Sequence, residues 1–272
     1  MEDKWTLIGL VALILLAVIN AKNPNRNTSG IFYSPTQNQT SDIKTGVEDL
    51  NKSKKYSDYI KISGGYGYDA NSEYVEIYNS SDKYTVDITG FTLMSTSSNT
   101  SFTIPKTVKL YFTGMENVEE NVILGPQEKA YIITGRSPIG YGMKINKCSG
   151  FLTQYNNFYP SFYSNCPAPR NEDLSKIPKT INNDICFDLI DSYPSCRIQE
   201  TPLSNKYSSE CQDFIYNKIN YPSCINNHKN DQDFWSKEWF VYLKRSDKVW
   251  RDRRETIILY DKSGNEISKI KK

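Results

Sequence analysis

The sequence predicts a mainly β protein, a sandwich of short strands with a cysteine-bearing helical insertion, preceded by an apolar N-terminal helix and a polar stalk. Three observations carry this. Short apolar-polar alternations recur between turn residues, and twenty Tyr and eleven Phe supply the aromatic area that strands favour. All six cysteines, Cys148, Cys166, Cys186, Cys196, Cys211 and Cys224, fall in one middle segment. One long uncharged run, WTLIGLVALILLAVINA, stands near the N-terminus.

The chain has 272 residues, enough for one domain with a large insertion or for two small domains. Its 33 Lys and Arg nearly balance 31 Asp and Glu, so no strong overall field points toward nucleic acid or an acidic surface.

Residues 1–4 form a short tail, and residues 5–21 are expected to be a transmembrane anchor. At about 1.5 Å per residue this run reaches roughly 26 Å, within the spanning range. A cleaved signal peptide is the rival reading. Acidic Glu2 and Asp3 before the run, and bulky Ile19 where a small residue precedes cleavage, favour the anchor. Lys22 and Arg26 follow the run and weaken the orientation argument, so it is the cysteines that place the bulk outside a single-pass cell membrane. Residues 22–55 are rich in Asn, Ser, Thr and Lys without an apolar period and read as a disordered stalk. The N-x-S/T triplets at Asn27, Asn38 and Asn51 carry no weight in so Asn-rich a tract.

Residues 56–140 and 237–272 are expected to be the two parts of the sandwich. EYVEIYN places Val75 and Ile77 on one face; KAYIITG, EWFVYLK and TIILYD repeat the habit around Ile132, Val241 and Leu259. Asn79 to Asp82, Gly125-Pro126 and Lys262 to Asn265 are turns. No strand alternates with a helix, which disfavours a βαβ enzyme.

These segments resemble the lamin tail domain family. EYVEIYNSSDKYTVDITGFTL, from Glu73, is similar to its opening strand, Asn turn and D-[LI]-[ST]-G-[FW] element. In ILGPQEKAYIIT, Leu124, Pro126 and Glu128 stand at the family's L-x-P-x-E turn, with Gln127 where the family usually has Gly. VWRDRRETIILYDKSGNEI resembles its closing strand and Asp-x-x-Gly hairpin. The resemblance implies an Ig-like sandwich with a binding or structural role and no catalysis. Membrane-anchored, cysteine-bearing bacterial lamin-tail proteins look similar, implying a cell-envelope protein.

Residues 141–236 are the expected insertion. Even cysteine number, no C-x-x-C pair and a single histidine, His228, favour disulfides over zinc or a redox couple. A frame occurs twice, CFDLIDSYPSC from Cys186 and CQDFIYNKINYPSC from Cys211. Each copy predicts a short helix with its leading cysteine on the apolar face: Asn182 or Asn183 caps the first, and Ser209 with Gln212 forms a capping box on the second. Each Tyr-Pro is expected to stop its helix. Two helices so joined would lie antiparallel, pairing Cys196 with Cys211 and Cys186 with Cys224 and leaving Cys148 with Cys166. Order alone carries that assignment, one of fifteen possible.

No nucleophile elbow, zinc-protease helix, phosphate loop or dinucleotide fingerprint occurs, so no catalytic residue, cofactor or metal site is assigned and no small-molecule substrate is indicated. His228 reads as a surface loop residue. Glu116, Glu119 and Glu120 read as a solvated loop, and Asp69, Asn71 and Asp82 as turn residues. The one basic run, KRSDKVWRDRRE, supplies Lys244, Arg245, Trp250, Arg251, Arg253 and Arg254. Its bland reading is an edge protected by charge; its functional reading is contact with an anionic envelope polymer, nucleic acid being disfavoured by the charge balance. The expected function is a non-catalytic, membrane-anchored binding or structural module with the membrane and a protein or anionic polymer as partners. The second reading is an accessory domain of an extracellular hydrolase or nuclease.

Overall fold

The computed structural model describes residues 53–162 and 165–272. A short helix α1 (Ser53–Tyr59) leads into β1 (Ile60–Tyr66) and β2 (Tyr74–Asn79). There follow β3 (Val86–Asp87), β4 (Thr92–Ser95), β5 (Thr100–Thr103), β6 (Thr107–Val108), β7 (Glu119–Glu120), β8 (Ile123–Leu124), β9 (Lys129–Ile133) and β10 (Met143–Asn146). The insertion carries α2 (Asp184–Ser192), α3 (Ser209–Lys218) and α4 (Tyr221–His228), after which β11 (Trp235–Tyr242), β12 (Thr256–Tyr260) and β13 (Glu266–Lys271) complete the chain.

Seven strands form one open sheet in the order β1-β2-β9-β11-β10-β6-β7, and four form a second in the order β13-β12-β4-β5. A two-stranded pair, β3 with β8, joins neither ladder, although its Val86 and Leu124 share a core with both sheets. The large sheet is mixed: β9 runs parallel to β11, and β6 parallel to β10.

Side-chain alternation in the central strands sorts the protein into two cores. Val75, Ile77, Ala130, Ile132, Trp239 and Val241 pack with Leu93, Ile257, Leu259 and Ile267 of the second sheet. Tyr131, Ile133, Phe240 and Tyr242 point the other way and pack with Phe151, Phe162, Ile190, Phe214 and Ile225 of the insertion. Strand β9 from Ala130 and the second half of β11, from Trp239, are thus buried on both faces, which is why AYII and WFVY are continuous apolar runs.

The fold expectation is corrected on two counts. The architecture is an open mixed sheet covered on one face by short helices and on the other by the four-stranded sheet, in place of an Ig-like sandwich with an appended insertion; β10, expected inside the insertion, is a strand of the main sheet. Among the described residues no helix is long and apolar enough to cross a membrane, so the anchor, the membrane partner and the single-pass location have no support. The expected anchor at residues 5–21 and the stalk up to residue 52 lie outside the described residues, while the last three stalk positions are the start of α1.

The cysteines form three disulfides, none of them the expected one: Cys148–Cys224, Cys166–Cys196 and Cys186–Cys211 replace Cys148–Cys166, Cys186–Cys224 and Cys196–Cys211. The reason lies in the second Tyr-Pro. Tyr193 takes extended backbone and ends α2, as expected before a proline. Tyr221-Pro222 instead begins a helix, with Asn220 as N-cap accepting from the Ser223 amide at 3.0 Å. Proline is tolerated there because the first-turn amides have no intrahelical acceptor. Cys224 therefore rides on a new helix packed against the 3-10 turn that follows Cys148. The two leading cysteines, both fully buried, face one core and join each other. The caps also shift: Ser208, not Ser209, accepts from the Cys211 amide at 3.3 Å, and Asn183 makes no side-chain cap bond.

Candidate anion-binding cleft

The parallel strands β9 and β11 end side by side, and their continuations stay paired. Leu243, Lys244 and Arg245 donate their amides to the carbonyls of Ile133, Gly135 and Thr134 at 2.8–2.9 Å. Lys244 takes a left-handed φ of 58°, which turns the chain away from the sheet. The loop before β2 closes on this corner: Asn71 Oδ1 accepts from the Arg136 amide at 3.0 Å. A Cβ at position 135 would lie 2.1 Å from that oxygen, so only glycine admits the clamp.

The corner encloses a cleft of about 450 Å³, lined among others by Asn71, Arg136, Ser137, Asn157, Tyr159, Tyr242 and Arg245. A second hollow of about 350 Å³ shares Arg136, Arg245 and Ser246 with it and adds Lys244, Asp247 and Lys248. The cations fall into two groups. Lys248 pairs with Asp252 at 2.7 Å and Lys244 with Glu119 at 3.6 Å. Arg136 and Arg245 have no carboxylate partner among the described residues; Arg245 lies 5.9 Å from the Phe102 ring centre. Among the described residues Asp247 is the single acidic residue lining either hollow.

Tyr242 forms part of the wall. It is buried, burial pushes its phenol pKa up, and its hydroxyl sits near the Ser137 side chain without closing a hydrogen bond of normal geometry. Tyr159 is 46% exposed, and its ring leans on Tyr74 at 5.9 Å between centres.

The expected binding run is thereby divided. Arg245 lines the cleft, and Lys244 lines only the second hollow beside it. Arg251, Arg253 and Arg254 are exposed but line neither hollow. Trp250 is corrected outright: it is buried at 2% exposure, edge-on to Phe102, and belongs to the inter-sheet core. Arg136, the second guanidinium of the cleft, was missed, because it lies over a hundred positions upstream and only the pairing of two parallel strand ends brings it in.

Two polar clusters are structural. Glu73, fully buried, accepts from Thr134 Oγ1 and the Val249 amide at 2.8 Å and from the Trp250 amide at 3.2 Å. His228 is not a loop residue but the last residue of α4, with Nδ1 2.8 Å from Asp231 and Nε2 2.9 Å from Glu172. Burial acts to lower its pKa, but the hydrogen bonds and charges of Glu172 and Asp231 together hold it above the ordinary imidazole value. Among the described residues no group of three His, Cys, Asp or Glu side chains is arranged to hold a metal ion.

Fold and cleft define a disulfide-stapled, two-core β protein with a small basic cleft at the ends of parallel strands. No family model, curated protein or solved structure matches the chain.

Proposed function

We propose that the protein is a non-catalytic binding module that takes an anionic ligand in the cleft built from Arg136 and Arg245. The observation that carries the reading is the pair of guanidiniums that have no carboxylate partner among the described residues at one concave site, each presenting forked donors suited to an oxyanion. Rigidity supports it. Both arginines extend from strands buried on two faces, and three disulfides hold the helical layer behind them. Such bonds persist in oxidising surroundings. No catalytic step is assigned: His228, the only histidine, has both ring nitrogens occupied by carboxylates. Kinship with the lamin tail domain family is part of the proposal, supported by the motifs that begin at Glu73, Ile123 and Val249.

The test is affinity for polyanions as a function of salt. The wild-type chain is expected to bind polygalacturonate or polyphosphate with affinity falling as salt rises, and Arg136→Ala with Arg245→Ala together to flatten that dependence. Arg251→Ala with Arg254→Ala should leave it intact. Equal affinity and equal slope in the cleft variant would end the proposal.

A further inference from the structure

Resting on that reading, we infer that the ligand is an acidic glycan, a sugar chain bearing carboxylates, with one uronate ring seated between Tyr159 and the two arginines. The groups around the guanidiniums are what distinguish it. A nucleic-acid groove presents a stripe of several unpaired cations along a backbone track. Among the described residues this cleft has two, and the hollow that shares them adds an acidic side chain, Asp247. The rest of its wall is neutral: Asn71, Ser137 and Asn157 offer amide and hydroxyl groups that match sugar hydroxyls as both donors and acceptors. Its volume, about 450 Å³, suits one or two rings rather than a long polymer face.

Tyr159 supplies the missing element. An exposed tyrosine ring, braced from one side by Tyr74, gives an apolar face against which the C–H face of a pyranose can lie. The carboxylate then has a forked partner in either guanidinium. A ligand hydroxyl near Ser137 would also give the buried, unpaired Tyr242 hydroxyl the partner it lacks among the described residues, since both residues line the same cleft.

Calorimetric titration of the full chain with galacturonate oligomers, their methyl esters, polyphosphate and oligothymidylate separates the possibilities. The expected result is binding of the acid oligomers, with at least tenfold weaker binding of the esters, polyphosphate and DNA at matched charge. Loss of one arginine should cost about tenfold or more in acid-oligomer affinity. Tyr159→Ala should weaken it several-fold, and Tyr159→Phe should retain it. If polyphosphate or DNA binds as tightly as the acid glycan, or Tyr159→Ala changes nothing, the glycan inference fails while anion binding stands. If the esters bind as well as the acids, or no anion binds, both fail.

Discussion

The Arg245 amide donates to the Thr134 carbonyl at 2.9 Å, and Arg136 stands two residues beyond that carbonyl. One backbone pairing therefore delivers both guanidiniums to the same cleft. Gly135 lies between Thr134 and Arg136, and the Asn71 clamp leaves no room there for a side chain. Gly135→Ala is expected to destabilise the protein by about 1–3 kcal/mol through overpacking, and to weaken anion binding beyond what lost stability explains. Urea denaturation and a binding titration on the same sample check both halves.

Glu73 ties β2, the end of β9 and the segment before β12 into one knot. Removing its carboxylate strands the buried Trp250 amide, together with the Val249 amide and the Thr134 hydroxyl. Each unmade bond at a buried group costs about 1–3 kcal/mol, so Glu73→Ala should lose roughly 3 kcal/mol or more in chemical denaturation. A loss under about 1 kcal/mol would show that the knot is dispensable.

The disulfides close loops of very different size. Cys148–Cys224 spans 76 residues, against 30 for Cys166–Cys196 and 25 for Cys186–Cys211. In the chain-entropy model the long bridge is worth about 4.5 kcal/mol and the shorter ones about 3.5. Replacing Cys148 and Cys224 with alanine should therefore be the most damaging of the three double substitutions, read as midpoint shifts in guanidinium. Non-reducing peptide maps should recover Cys186 joined to Cys211.

His228 gives the insertion a dependence on pH. Its folded pKa is raised, so its contribution is fully present below the unfolded value of about 6.5 and is lost as pH climbs through the higher folded value. The groups facing it are Glu172 and Asp231; Lys147 also holds Asp231, keeping that carboxyl below its usual range. Opposite in sign, the Asp231 contribution is lost only in acid. Wild-type stability should decline as pH rises above about 6.5, and His228→Gln should remove that decline. Denaturation midpoints measured from pH 5 to pH 9 would show it.

Much of this was legible in the sequence, and what was not has identifiable causes. Period-two alternation located β2 and β12, and Val75, Ile77 and Leu259 are buried as their spacing demanded. The Gly-like position at Gln127 takes a φ of 58°, with the side chain bonding Tyr78, Ser80 and Asp82 around the turn. Disulfide pairing failed because one dipeptide, Tyr-Pro, stops a helix after Ser192 and starts one after Asn220; a capping asparagine, not the proline, decides which. The basic run misled because charge is readable from sequence but pairing is not. Lys248 is neutralised locally, Trp250 is interior, and the partner of Arg245 in the cleft comes from another strand.

Amide chemical-shift mapping of the isotopically labelled full chain, titrated with galacturonate oligomers at low salt, tests the central claim most directly. Saturable shifts concentrated at Asn71, Arg136, Ser137, Tyr159 and Arg245 are the predicted result, with residues 251–254 unmoved. Shifts confined to Arg251, Arg253 and Arg254, or none that saturate, would contradict it.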